Sequence, residues 1–264
     1  MLSYLRMKGT GTRRLVLAIL QARTSSNRLP GKVLHPLLGR AMVLRQMERL
    51  KRSREIGKLV LATSADESDD VLAQTVEAAG YVVYRGSLDD VLSRYYNCAV
   101  EYGADHVVRV TGDCPVIDWR VADSVIMRHI TEQNDYTHTT QRFPDGLDTE
   151  VMTFAALSQA YREAKLHSER EHVTLYFRNH SDCFRIGRVD CAEDYGNLRW
   201  TVDESCDVAF IEAVYAELFP RNDDFTMQDI LDLLNEKPEL RSINQGILRN
   251  EGLQKSIAED ALLS

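Results

Sequence analysis

Proline and glycine are scarce, with 6 Pro and 14 Gly in 264 residues, so the body of the chain lacks the composition of a disordered or low-complexity segment. No apolar run approaches the ~20 residues that a membrane-spanning helix needs, which excludes a helical membrane anchor. The opening residues 1–8 have neither the apolar centre nor the small-residue cleavage site of a secretory signal, and Met7 could equally be the native start. Cysteine is limited to Cys98, Cys114, Cys183, Cys191 and Cys206, an odd number without a C-x-x-C pair. A disulfide framework and a structural zinc site are thereby disfavoured, and a reducing cytoplasmic location is expected. The 7 histidines contain no H-E-x-x-H, which leaves a hard cation held by carboxylates as the metal to consider. Positive charge is in deficit, 32 Lys and Arg against 40 Asp and Glu, for a net charge of −8. That balance argues against a nucleic-acid partner, which would select a basic face. Two phosphate-binding signatures are missing as well, since neither a Walker loop nor a G-x-G-x-x-G turn is present.

Against these absences stands one dense stretch, Gln21-Ala22-Arg23-Thr24-Ser25-Ser26-Asn27-Arg28-Leu29-Pro30-Gly31-Lys32. It follows an aliphatic run at 15–20 that reads as a strand buried on both faces. A loop with three cations, three hydroxyls and a glycine at the end of a first strand is where open α/β sheets hold phosphates. The bland reading is a solvated basic loop. Position, spacing and the rigid Leu-Pro-Gly turn favour a nucleoside polyphosphate instead.

The first half alternates strand and helix: strands at 15–20, 59–63, 82–84 and 106–110, with helical patterns at 42–52, 68–79 and 88–102. Such βαβ alternation predicts an α/β fold with a mostly parallel central sheet flanked by helices, and ligands at the carboxyl ends of the strands. Regularity ends near 135. A turn at 143–146 precedes a strand at 149–152, helices at 154–164 and 168–179, and strands at 184–189 and 198–202. Helices at 208–218 and 227–235 follow, then a polar tail. The division expected is an N-terminal extension at 1–13, a single domain at 14–247 with an inserted α+β lobe at about 136–190 for acceptor or dimer contacts, and a tail at 248–264.

Two aspartates each close a predicted strand. In Thr111-Gly112-Asp113-Cys114-Pro115, Asp113 either faces a ligand beside a glycine or makes an Asx turn before Pro115. In Leu198-Arg199-Trp200-Thr201-Val202-Asp203-Glu204, Asp203 either binds metal or caps the next helix. Together with the cationic loop, the pair fits Mg²⁺ bridging carboxylates and phosphate oxygens. Asp89 and Asp90 open a helix at the mouth of the third strand, where they complement its N-terminus or face the ligand. Asp145, Asp148, Glu150, Glu169, Arg170, Glu171 and His172 make up a polar lobe suited to an acceptor substrate or a solvated face.

Residues 23–32 resemble the signature of cytidylyltransferases that make CMP-activated sugar acids, the acylneuraminate and 3-deoxy-manno-octulosonate enzymes. Segments 86–95, 109–115, 145–151, 170–174 and 201–207 are closer to the spore coat polysaccharide biosynthesis protein F branch, and the likeness spans about 14–215. The resemblance implies a GT-A-like nucleotidyltransferase fold, consumption of CTP, release of pyrophosphate and a homodimer. It implies that Arg23, Arg28 and Lys32 hold the triphosphate, that Ala62, Thr63 and Ser64 approach cytosine and ribose, and that Asp113 and Asp203 bind Mg²⁺. Gln21, Ala22, Ser25, Gly31, Asp90, Arg94 and Gly112 complete the expected nucleotide site. Asp148, Glu150, Arg170 and His172 are the expected acceptor residues, with Arg170 the partner of an acidic group. In this branch Asp145-Gly146-Leu147-Asp148 and Arg170-Glu171-His172 replace the acceptor motifs of the sugar-acid enzymes.

The expected chemistry is attack by an acceptor oxygen on the α-phosphorus of CTP, with positioning and electrostatics supplying most of the catalysis. Metal coordination would acidify the hydroxyl, and His172 is a secondary candidate for a base. Surface polysaccharide or glycoconjugate synthesis is the expected setting. The alternative is a GT-A glycosyltransferase with a nucleotide-sugar donor, but neither Asp113-Cys114-Pro115 nor Asp203-Glu204-Ser205 supplies a D-x-D motif. A non-catalytic nucleotide-binding scaffold would have little use for both aspartates and the full cationic loop.

Overall fold

β1 (Val16–Gln21) is buried on both faces because parallel partners flank it on either side. These are β4 (Lys58–Ser64) and β6 (His106–Thr111), and β5 (Val82–Gly86) pairs in parallel outside β4. A short antiparallel hairpin, β2 (Pro36–Leu37) and β3 (Arg40–Ala41), leads from the cationic loop into α1 (Met42–Leu50). The helices α2 (Asp70–Ala78), α3 (Val91–Tyr102) and α4 (Trp119–Thr131) fill the connections between successive strands. This computed structural model describes residues 14–26, 28–247, 249, 253, 254, 256–258 and 260. The expected extension at 1–13 lies outside the described residues.

Beyond β6 the sheet becomes mixed. β8 (Glu150–Thr153) runs antiparallel to β6 and to β7 (Tyr136–Thr139), and β9 (Ile186–Val189) is parallel to β7. The order is β5-β4-β1-β6-β8-β7-β9, so the strands of the expected lobe extend the central sheet. α5 (Phe154–Glu163), α6 (His167–His172) and α7 (Leu175–Asn179) belong to this half, and α8 (Ser205–Leu218) and α9 (Met227–Glu236) follow. Separate apolar clusters form around Leu17, Ile19 and Tyr95, around Ala18, Leu20 and Val108, and around Trp200, Phe210 and Ile230.

Three expectations need correction. Residues 198–202 are not a strand of the sheet: their one bridge joins Arg199 to Asp145, and Val202 N–H donates to the Asp113 carbonyl at 2.8 Å. The alternating Leu-Arg-Trp-Thr-Val pattern arises because Trp200 and Val202 enter the third cluster while Arg199 enters a buried ion network. The helix expected at 168–179 is broken at Val173, a β-branched residue at φ 53 that separates α6 from α7. α4 was absent from the expected elements although Asp118 caps it, its side chain accepting from Arg120 N–H, and Ala122, Val125 and Ile126 recur on its buried face. Within the expected tail, Arg249, Ser256 and Asp260 bond to the body.

Candidate active site

Where β1 ends, the chain folds into a loop closed by Gly31 N–H on the Thr24 carbonyl at 2.8 Å. Asp69, which sequence reasoning missed, anchors that loop from beneath. Its Oδ1 accepts the Thr24 amide at 2.7 Å and hydroxyl at 2.8 Å, while Oδ2 accepts the Ser64 hydroxyl at 2.5 Å. Burial works to raise the Asp69 pKa, but hydrogen bonds from Ser64 and Thr24 outweigh it and hold the carboxyl below its ordinary value. Only a fold that brings the end of β4 under the loop gives Asp69 this role, which is why no local motif announces it.

A cavity of about 310 Å³ opens over the loop, lined by Gln21, Ala22, Arg23, Ser26, Arg28 and Lys32 and by Gly112 and Asp113 opposite. Gly112 is required there, since its amide donates to the Gln21 carbonyl at 2.7 Å and a Cβ would meet the Ala22 Cβ at 2.6 Å. Ser25 is exposed on the loop, and Ser26 takes the cavity-lining place. Ala62, Thr63 and Ser64 are fully buried in β4, and the Ala62 carbonyl accepts the Ala22 amide at 3.3 Å. They support the cavity from behind.

Lys32 connects the loop to both aspartates. Its Nζ donates to the Val202 carbonyl at 2.6 Å and to Asp203 Oδ1 at 2.8 Å, and lies 3.6 Å from Asp113 Oδ2. Burial acts to lower the Lys32 pKa, but Asp113 and Asp203 prevail and raise it, so the ammonium stays charged. Burial likewise acts to raise Asp203, yet Lys32, Arg28 and Arg199 hold it low. Arg28 and Arg199 each lie 3.0 Å from Asp203 Oδ2. Of the three candidate caps Asp203, Glu204 and Ser205, the N-cap of α8 is Glu204, and the Asp207 carboxylate accepts the Asp203 and Glu204 amides at 2.9 Å each. Asp203 reaches this point from an extended segment beside the sheet, not from the end of a strand, with Gly146 packed so tightly on that segment that a Cβ would meet Thr201 N at 2.7 Å.

These two carboxylates, converging on a single buried cation, form an oxygen donor pair suited to a hard divalent ion that keeps water and phosphate ligands. Among the described residues no group of three or more His, Cys, Asp or Glu is arranged to hold a metal ion.

A second cavity of about 240 Å³ shares Arg28, Thr111, Asp113 and His172 with the first. At its base the buried Glu150 accepts from Arg109, from the Tyr136 hydroxyl and from Arg178 at 3.2 Å. Burial alone would raise the Glu150 pKa; Arg109 and Arg178 overturn this and bring it to about 2. Asp145 has the opposite fate, pushed up to about 6 by burial and by Asp148, against the pull of Arg249 and Arg199. His172 is lowered by burial above all, so its ring is neutral at pH 7.

Two expected site residues turn out to be partners of each other. Arg170 donates to Asp90 Oδ2 through Nη2 at 2.5 Å and Nε at 2.9 Å, and to the Tyr161 and Ala164 carbonyls at 3.3 Å each. Its guanidinium therefore fastens α6 to the start of α3 and is not among the residues lining either cavity. Asp90 also caps α3 by accepting Ser93 N–H at 2.9 Å. Arg94 is buried, with Nη1 on the Ser87 carbonyl at 2.9 Å and Nε and Nη2 unbonded. Four arginines line the second cavity, Arg28, Arg109, Arg178 and Arg199, and no local signal distinguished Arg109 and Arg178 from other arginines.

The cytidylyltransferase family profile matches residues 17–216. Spore coat polysaccharide biosynthesis protein SpsF of Bacillus subtilis is 33% identical over 231 residues, which cover 85% of this chain and 95% of the relative. A cytidylyltransferase structure from Leptospira borgpetersenii aligns with a TM-score of 0.84 at 28% identity, over 89% of this chain and 100% of its own. The structure of CMP:2-keto-3-deoxy-manno-octonic acid synthetase complexed with CTP has a TM-score of 0.61 at 15% identity, over 77% of this chain and 99% of that one, a likeness of fold.

Proposed function

The chain belongs to the cytidylyltransferase family, and on that premise we propose that it transfers CMP from CTP to an acidic sugar with release of pyrophosphate. Enzymes of this family are CTP-dependent nucleotidyltransferases; the acceptor class, the metal and the assembly are the proposal's own. The observation that carries it is the buried Lys32 ammonium between Asp113 and Asp203, at the floor of a cavity that Arg23 and Arg28 also line.

In this reading Arg23, Arg28 and Lys32 neutralise the triphosphate, and the loop amides approach it closely. Asp113 and Asp203 would hold Mg²⁺, which when bound offsets phosphate charge and acidifies an acceptor hydroxyl. The acceptor occupies the second cavity, where Arg109 and Arg178 share the single carboxylate of Glu150. That local surplus of positive charge around Glu150 suits a sugar carboxylate, and Arg178, with 45% of its side chain exposed and one bond to Glu150, would bind one through its outward-facing N–H groups. His172 lines both cavities, and its neutral ring is placed to take the proton of the attacking hydroxyl. Likeness to SpsF supports a role in surface polysaccharide synthesis. A cytoplasmic homodimer completes the proposal.

Incubation with [α-³²P]CTP, Mg²⁺ and acidic sugars should yield pyrophosphate and a labelled CMP-sugar. Consumption of a nucleotide-sugar donor without pyrophosphate release would establish the glycosyltransferase alternative instead.

A further inference from the structure

Four described residues of the expected polar tail, Arg249, Leu253, Ser256 and Asp260, contact the body beside the second cavity. Arg249 donates through Nη1 to the Gln141 and Phe143 carbonyls at 3.2 and 3.1 Å and through Nη2 to Asp148 Oδ1 at 2.7 Å, and its Nε lies 3.5 Å from Asp145 Oδ1. Further along, Ser256 Oγ donates to Glu171 Oε2 at 2.7 Å and lies 3.0 Å from His172 Nε2. Asp260 then accepts Ser168 N–H at 3.3 Å. Between these anchors Leu253 lines the second cavity, while Arg249 and Gln254 line a wider outer cleft of about 1420 Å³. Leu253 and Gln254 thus face two different spaces.

We propose that Arg249, Leu253, Gln254 and Ser256 form part of the outer wall of the acceptor cavity and set which acceptor fits, with Leu253 touching the acceptor and Arg249 and Ser256 as positioning residues. This deepens the nucleotidyl-transfer reading and rests on it. The charge balance explains why Arg249 matters. Five carboxylates line the cavity against four guanidinium groups, and an acidic acceptor would be repelled at the Asp145 and Asp148 side. Arg249 brings the fifth guanidinium to those two carboxylates. Ser256 holds the His172 ring by one nitrogen, which orients the other, so the wall also sets the aim of the proposed base.

The test uses full-length variants, with 3-deoxy-manno-octulosonate and N-acetylneuraminate as probe acceptors and pyrophosphate release as the assay. Leu253→Trp, which fills the cavity from the wall, should raise the acceptor KM about tenfold while CTP KM stays within about twofold. Arg249→Ala should do the same, and Arg249→Lys should restore most of the loss. In Ser256→Ala the ¹⁵N signals of the His172 ring should shift, a readout that needs no acceptor. An unchanged acceptor KM in Leu253→Trp, a parallel rise in both KM values, or unmoved His172 signals would overturn the wall. If the unsubstituted chain couples neither acid, the acidic-sugar reading is what fails for these probes, and the His172 signals alone decide whether the wall exists.

Discussion

Three cations meet on the Asp203 carboxylate: Lys32 at 2.8 Å and Arg28 and Arg199 at 3.0 Å each. Removing that charge leaves the cations mutually repulsive and removes half of the proposed metal pair. Asp203→Asn and Asp113→Asn should each lower kcat by ~10²–10³, equivalent to roughly 3–4 kcal/mol, by analogy with deletion of one transition-state electrostatic contact. Pyrophosphate release at saturating CTP and Mg²⁺ checks this, and near-normal rates in both variants would refute the pair. Arg178 and Arg170 make a contrasting couple. Arg178→Ala should raise acceptor KM and spare CTP, whereas Arg170→Ala, which breaks the link to Asp90, should lower thermal stability and leave acceptor KM almost unchanged. Steady-state kinetics and a melting curve separate the two. Residues joined to a strand end by sequence, such as Arg28, Lys32 and Asp113, were legible because a buried strand dictates where its loop emerges. Asp69 and Arg178 were not, since their partners Thr24 and Glu150 are brought to them by tertiary packing.

At the scale of elements, β6 and β8 are tied by a cross-strand ion pair, because their register places Arg109 opposite Glu150. Glu150 titrates at about 2 in the folded chain against an ordinary value of 4.5, a difference on the order of 3 kcal/mol. Since the folded pKa is depressed, this stability is fully present above about pH 4.5 and is lost as pH falls toward about 2. Asp145 has the opposite sign: its folded value of about 6 exceeds the ordinary 3.8, so it costs stability progressively as pH rises between those values. Glu150→Gln should therefore flatten the acid limb below pH 4.5 and destabilise the neutral protein by ~3–5 kcal/mol, because Arg109 is left buried without its counter-charge. Urea unfolding at a series of pH values measures both effects; an acid limb identical in the two proteins would contradict the assignment. Regular elements were readable where burial was uniform, as in the aliphatic run of β1, or periodic, as in α1. The segment at 198–202 and the break at Val173 were not, because the former alternates without a sheet partner and the latter is imposed by the packing of α6 and α7.

For the whole molecule, the order β5-β4-β1-β6-β8-β7-β9 sets the cavity proposed for the nucleotide over the parallel half and the cavity proposed for the acceptor beside it, where β6 meets antiparallel β8. The parallel half was legible from strand and helix alternation alone. How β7 and β9 join the sheet was not, since pairing of distant short strands leaves no local pattern. The two cavities share Arg28, Thr111, Asp113 and His172, so the account requires that nucleotide and acceptor meet at one seam. We propose cytidylyl transfer at that seam. The most direct measurement is pyrophosphate release from CTP, UTP, ATP and GTP in turn, with Mg²⁺ and an acidic sugar present or omitted. The account predicts release from CTP far above the other three, and only with the sugar present. Equal release from ATP, or release from CTP that ignores the sugar, would contradict it.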